Sequence, residues 1–204
     1  MRKIGRVVEL WRYPVSSVGG QSLQTLEVSP AGIAGCRRFA LFDPASGLAA
    51  APEREPRWRP ALFLQAMRDA ASLLPQLRFP DGETLWLDDS RLAERLEAHF
   101  GFATGVGAYG GLDDGADMRF PIVSNRYAPA GLHLVTTASL RKLAAVASAP
   151  PLDPRRFRPS ILIDTDEGEG FLENAWLGQQ ITIGAALVSV TEPTRRCGMT
   201  MIAQ

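Results

Sequence analysis

The sequence has 204 residues, 46% of them hydrophobic and 22% charged, the proportions of a globular chain long enough to bury a proper core. Its 22 basic and 22 acidic side chains cancel, which argues against nucleic acid or an anionic membrane as the partner. Two cysteines, Cys36 and Cys197, are too few for a disulfide framework, a four-cysteine zinc site or a ferredoxin-type cluster. The N-terminus lacks the apolar segment of a signal peptide and no run approaches the roughly 20 apolar residues that span a bilayer, so a cytoplasmic protein is expected.

Residues 3–13 mix Ile, Val, Leu, Trp and Tyr and end at Pro14, which predicts a strand running into a turn. That turn, P-V-S-S-V-G-G-Q-S, sets Ser16 and Ser17 beside two glycines, where hydroxyls and backbone N–H groups can approach an anion; a plain loop is the alternative. Residues 22–28 alternate as a strand. The run G-I-A-G-C-R-R-F-A-L-F-D then places Arg37 and Arg38 at the mouth of a short apolar strand, and planar guanidinium forks suit a phosphate or carboxylate.

Residues 52–60 are proline-broken and charge-dense, hence a loop. The following A-L-F-L-Q-A-M-R-D-A-A-S-L-L-P is ambiguous between helix and strand by pattern, with propensity favouring helix. Asp81-Gly82 between apolar arms predicts a hairpin over 77–87. A helix over 91–100 is expected, capped by Ser90, with Leu92, Leu96 and Phe100 on one face and Gly101 as its stop. The glycine-rich 101–115 interval lacks the strand–turn–helix context of a nucleotide fingerprint and reads as a short strand and an acidic loop, Asp113, Asp114 and Asp117.

The segment L-H-L-V-T predicts a strand, and Thr137 or Ser139 is expected to cap the helix behind it. A rigid loop carrying Arg155, Arg156 and Arg158 leads to an apolar strand at 161–163, and further strands are expected at 180–183 and in A-L-V-S-V. Strands thus outnumber helices and do not alternate with them, so a mainly β (α+β) fold is expected, as a β-barrel or pair of barrels rather than a doubly wound sheet. The chain ends in V-T-E-P-T-R-R-C-G-M-T-M, where Cys197 follows Arg195 and Arg196. Guanidinium neighbours favour the thiolate, the form that attacks electrophiles and binds soft metals; a small buried hydrophobe is the plainer reading of a solitary cysteine.

R-Y-P-V-S-S, G-I-A-G-C-R-R-F-A-L-F-D, L-H-L-V-T-T-A-S-L-R-K-L, R-R-F-R-P-S-I-L-I-D, F-L-E-N-A-W-L-G with I-T-I-G, and R-R-C-G-M-T stand in this order between residues 12 and 200. The ordered set resembles the MOSC family, domains related to the C-terminal part of molybdenum cofactor sulfurases, preceded by an N-terminal β-barrel partner. The resemblance implies an N-terminal domain over 1–118 and a MOSC core over 119–204. The chain ends seven residues beyond Cys197, whereas the family continues, so the second barrel is expected to be incomplete, with a sheet edge open to pairing with another copy. Ser16 stands where the family commonly has lysine, Cys36 where it has aspartate and Ser160 where it has asparagine. Glu53 and Arg54 also depart from its pattern.

By the same resemblance, a molybdenum cofactor (molybdopterin) would be bound, with Cys197 as catalytic residue and metal ligand. Ser17, Arg37, His133, Thr137, Ser139, Arg158 and Arg196 would contact it. The implied activity is an oxidoreductase reducing N-hydroxylated or related oxidised small molecules, with electrons from a partner protein. The alternatives are a sulfur carrier that takes a persulfide on Cys197 from a sulfur donor, and a non-catalytic β-rich binding module.

Overall fold

The computed structural model describes residues 3–69, 71–109, 119–124, 130–165, 168, 170–194 and 198–202. In chain order the strands are β1 (Arg6–Arg12), β2 (Val15–Ser16), β3 (Gln21–Leu23), β4 (Val28–Ser29), β5 (Gly32–Ile33), β6 (Phe39–Asp43), β7 (Leu48–Ala49), β8 (Gln65–Met67), β9 (Gln76–Arg78) and β10 (Thr84–Trp86). Helix α1 (Leu92–Phe100) follows, then β11 (Gly105–Tyr109), β12 (Ile122–Val123), β13 (Leu134–Thr136), helix α2 (Thr137–Val146), β14 (Ile161–Asp164), β15 (Gln180–Ile183) and β16 (Ala186–Ser189). The protein is mainly β, as expected. Among the described residues no sheet closes into a barrel.

By contact the chain groups into two compact units, one of residues 1–11, 22–34 and 130–203 and another of residues 12–21 and 35–129. In the first, the strand order is β13-β14-β1-β3, with β14 parallel to β13 and antiparallel to β1. A bulge between Val7 and Glu9 shifts the register of β1. Ile161 and Ile163 from alternate positions of β14 point into one core with Trp176 and Ile181, and Leu10, Leu134 and Val188 pack around them. The β15–β16 hairpin contributes to the same core through Ile181, Ile183 and Val188.

In the second unit, β6 is the central strand of the order β12-β11-β6-β2, and β7 also pairs with it. Its F-A-L-F sequence has no polar face because both faces are covered. Phe39 and Leu41 enter the main core, while Ala40 and Phe42 pack with Ala49, Tyr109 and Val123 on the other side. Trp58 is only 1% exposed and meets Phe100 at 5.3 Å and Phe102 at 4.8 Å between ring centroids, both edge-on, the arrangement that ring quadrupoles favour.

The local expectations fare unevenly. The Asp81-Gly82 hairpin forms, with Leu85 opposite Leu77 and Gly82 at φ 94°. Gly101 stops α1 in a left-handed conformation, its N–H donating to the Glu97 carbonyl at 2.7 Å. Ser90 does not cap that helix: it starts one residue later than expected, behind Arg91, whose N–H is held by Asp89 Oδ1 at 2.9 Å. The stretch after Ala61 is no helix but the tail of a 3-10 turn, Pro56–Phe63, followed by β8. Pairing of β8 with β9, which buries Ala66 against the hairpin, outweighs the helix propensity of the isolated segment. The predicted 22–28 strand shrinks to β3 and β4, and the acidic loop at Asp113, Asp114 and Asp117 lies outside the described residues.

Two tests follow from this packing. Trp58→Ala should cost about 3–5 kcal/mol of unfolding free energy, the range for emptying a buried aromatic site, measured by urea titration. Arg57 lies 4.6 Å from the Phe102 ring centroid and donates to Asp43 Oδ2 at 2.8 Å; that bond, helped by the Ala45 N–H, holds the Asp43 carboxyl below the usual aspartate range. Because the folded pKa is the lower one, the pair contributes above the unfolded pKa and is lost as pH falls through the folded value. An NMR titration should therefore find Asp43 titrating low, and Arg57→Gln should move it back up.

Candidate functional site

Ser17 and Arg37 both lie in the second unit, built around the short parallel pair β2 and β6. Val15 is opposite Phe39 and Ser16 opposite Ala40. Upstream, the Tyr13 carbonyl accepts from the Arg37 N–H at 2.6 Å, and the Pro14 carbonyl accepts from Arg38 and Phe39 at 3.1 and 3.2 Å. Arg37 therefore sits beside Tyr13, before the pairing begins, and Ser17 lies past its other end, its hydroxyl donating to the Ala50 carbonyl at 3.3 Å. The pairing separates the two residues rather than bringing them together.

Both residues have left-handed backbones, Ser17 at φ 63° and Arg37 at φ 53°. Such a conformation is costly for residues with a Cβ, and it concentrates where a side chain must be aimed in a particular direction. Among the described residues the half-buried Arg37 side chain has no hydrogen-bond or ion-pair partner for its donor fork. Its neighbour Arg38 is buried, 8% exposed. Of the two readings of this turn, an anion cradle and a plain loop, the glycine contacts favour the plain loop. The Gly19 N–H is taken by the Leu64 carbonyl at 2.9 Å, and a Cβ on Gly20 would come within 2.6 Å of the Arg12 carbonyl. These glycines serve close packing.

The remaining described candidates belong to the first unit and fall at the two ends of the parallel pair β13 and β14. At the start, His133 and Arg158 are buried, 5% and 7% exposed. The His133 carbonyl accepts the Ser160 N–H at 2.7 Å, and its Nδ1 lies 3.3 Å from the Arg158 carbonyl. A carbonyl can only accept, so this contact puts the proton of a neutral ring on Nδ1. Arg158 follows the 3-10 turn Pro154–Phe157 in a left-handed conformation, φ 50°. Ser160, where the family commonly has asparagine, is 2% exposed and offers its Oγ to the His133 N–H at 3.4 Å.

At the far end, Thr136 and not Thr137 or Ser139 is the N-cap of α2, its Oγ1 accepting from the Ser139 N–H at 3.1 Å. Thr137 and Ser139 are the first and third helical residues, and their hydroxyls are committed to carboxylates. Ser139 Oγ donates to Glu173 Oε2 at 2.5 Å, Thr136 Oγ1 donates to the same oxygen at 2.8 Å, and Thr137 Oγ1 donates to Asp164 Oδ1 at 2.8 Å. Glu173 thus sits at the N-terminus of α2, where the exposed N–H groups and the helix dipole favour a negative charge. A Thr-x-x-Ser start hinted at a cap, but nothing in sequence paired it with a glutamate 34 residues beyond Ser139.

Arg196 and Cys197 lie outside the described residues. Among the described residues no group of three or more His, Cys, Asp or Glu side chains could hold a metal ion, and no helix is long and apolar enough to cross a membrane.

Fold and polar residues define a mainly β protein with short helices, whose buried or aimed arginines stand at strand ends and left-handed turns. Residues 4–95 match the family model of the MOSC N-terminal beta barrel domain, and residues 127–204 match that of the MOSC domain. The chain belongs to the MOSC family, carrying the N-terminal domain as well, and this family is associated with molybdenum cofactor binding and sulfurase-like proteins. No curated protein matches the sequence.

For a polar, phosphate-bearing cofactor each unit, taken by itself, carries an arginine of suitable chemistry: in the second, Arg37, whose guanidinium has no partner among the described residues, and in the first, Arg158, buried at the start of a parallel strand pair. The hydroxyls of Thr137 and Ser139 fit less well, because protein carboxylates already take their protons. Thr136→Ala removes the cap and one bond to Glu173 together, and should lower stability by about 1–2 kcal/mol. Thermal or urea unfolding measures it, and Thr136→Ser should recover most of the loss.

Proposed function

We propose that the protein is a molybdenum-cofactor-dependent oxidoreductase acting on N-hydroxylated or related oxidised small molecules. Residues 1–118 would form the N-terminal domain and 119–204 the MOSC core. The observation that carries this reading is Arg37: a half-buried guanidinium without a described partner, set on a left-handed backbone in a segment matching the N-terminal MOSC-type domain. A side chain aimed at backbone expense and left without an internal partner is suited to an external anion.

When bound, the cofactor supplies a metal centre able to exchange an oxo group while changing oxidation state by two electrons. Cys197 is the proposed metal ligand, a soft thiolate suited to such a centre, with Arg196 beside it favouring the ionised form. Arg37 is the proposed anchor for the anionic part, through bidentate donation that fixes orientation as well as charge, and Arg158 is a proposed contact contributed by the first unit. Ser17 and His133 are the other proposed polar contacts, the histidine with its Nδ1 directed to the Arg158 carbonyl. Thr137 and Ser139 would contribute mainly by holding the first turn of α2, since their protons are directed to Asp164 and Glu173. Electrons would come from a partner protein, because the two cysteines of the chain cannot hold a four-cysteine cluster.

Protein made in a host that produces the cofactor should carry molybdenum in near-equal amount, read by elemental analysis, and Cys197→Ser should lose it. Arg37→Gln should weaken retention about tenfold or more, the equivalent of one lost charge-assisted hydrogen bond. Wild-type protein that holds no molybdenum and does not recover it on reconstitution would remove this reading.

A further inference from the structure

Apart from the residues assigned to the cofactor, two further arginines of the second unit are gathered by one amide. Gln21 Oε1 accepts from Arg12 Nη2 at 2.9 Å, from Arg12 Nε at 3.3 Å and from the Arg68 backbone N–H at 2.8 Å. Arg12 Nη2 also donates to the Arg68 carbonyl, and Arg68 Nε donates to the Ser72 carbonyl at 2.7 Å. Gly35 completes the arrangement: its φ is 71°, and a Cβ there would collide with Arg68 Nη1. The backbone is thus kept bare where a guanidinium lies against it.

Every acceptor in this cluster is a neutral oxygen. Nη1 of Arg12 and both terminal nitrogens of Arg68 donate to no described residue, and among the described residues no carboxylate forms an ion pair with either arginine. Both side chains are half-buried. Burial lowers the Arg12 pKa, and Arg68 lowers it further, with Cys36 and Asp69 acting in the opposite sense. Two like charges held together away from bulk water are costly unless an opposite charge meets them, and paired guanidinium forks match a tetrahedral oxyanion.

We propose that Arg12 and Arg68, held by Gln21 and seated against Gly35, form a binding site for a phosphate-class dianion, separate from the Arg37 contact proposed for the cofactor. Two positive charges call for a dianion, and uncommitted N–H groups on both guanidiniums allow more than one of its oxygens to be held. The half-buried thiol of Cys36 directly follows Gly35, the residue against which the Arg68 guanidinium lies, so its accessibility reports on occupancy.

The test is iodoacetamide alkylation of Cys36 in the full chain, read by peptide mass spectrometry during titration with inorganic phosphate at constant ionic strength. Phosphate should slow the modification of Cys36 in a saturable way while chloride does not. Phenyl phosphate in a parallel titration separates a free-phosphate site from one that accepts a monoester, and protection by either supports the dianion site. Arg12→Gln and Arg68→Gln should each raise the half-saturating phosphate concentration about tenfold or more, with molybdenum content unchanged. Arg37→Gln should retain the protection.

Should either glutamine variant fail to fold by circular dichroism, Arg12→Lys and Arg68→Lys keep the charge but lose the fork, and a several-fold weakening is expected. The proposal is overturned if neither phosphate species protects Cys36, if protection survives removal of both forks, or if it disappears in Arg37→Gln alone. Each of these results can occur with molybdenum fully bound, so failure here is distinct from failure of the cofactor reading.

Discussion

Three N–H groups, from Arg37, Arg38 and Phe39, converge on two carbonyls, those of Tyr13 and Pro14, and much of the second unit depends on that convergence. It brings β2 beside β6 in parallel, and β6 then supplies the partner edges for β11 and β7. Pro14 has no N–H of its own, so it enters the contact as an acceptor only and accepts twice. The turn bearing Ser17 and the left-handed bend at Arg37 are the two ends of this contact. Altering the contact would displace the candidate residues together with the core residues Val15, Phe39 and Leu41.

Much of the scaffold was readable in the sequence because its signals are local. Asp81-Gly82 specified its turn, Gly101 its helix stop, and the short apolar β-branched runs of β14, β15 and β16 their strands. The 61–75 stretch is ambiguous in sequence for the opposite reason: what makes β8 a strand, against the helix that propensity favours, is the neighbouring β9, and no pattern within Gln65–Met67 announces it. Both helix starts differ from the expectation: α1 begins at Leu92 behind Arg91 with no side-chain cap, and α2 begins at Thr137 because the Thr136 hydroxyl, one residue earlier, caps it.

The candidate residues show the same division. That Arg37 and Arg158 stand at strand entrances follows from chain order. That both have left-handed backbones, and that the Arg37 guanidinium has no described partner, depends on distant segments. Glu173 and Asp164 escaped notice because an acidic side chain in a loop reads as solvated; only the fold brings them to the start of α2. Arg12 and Arg68 are 56 positions apart, and the amide that joins them comes from a third segment.

The left-handed backbones of Ser17 and Arg37 set two selective pressures against each other. Glycine would adopt either conformation without the steric cost that a Cβ imposes, so selection for stability alone would move both positions towards glycine. The chain instead carries a hydroxyl at one and a long cation at the other. A library of this protein sorted only for thermal resistance would enrich glycine there, erasing the side chains by which an external molecule could be recognised while leaving the fold intact.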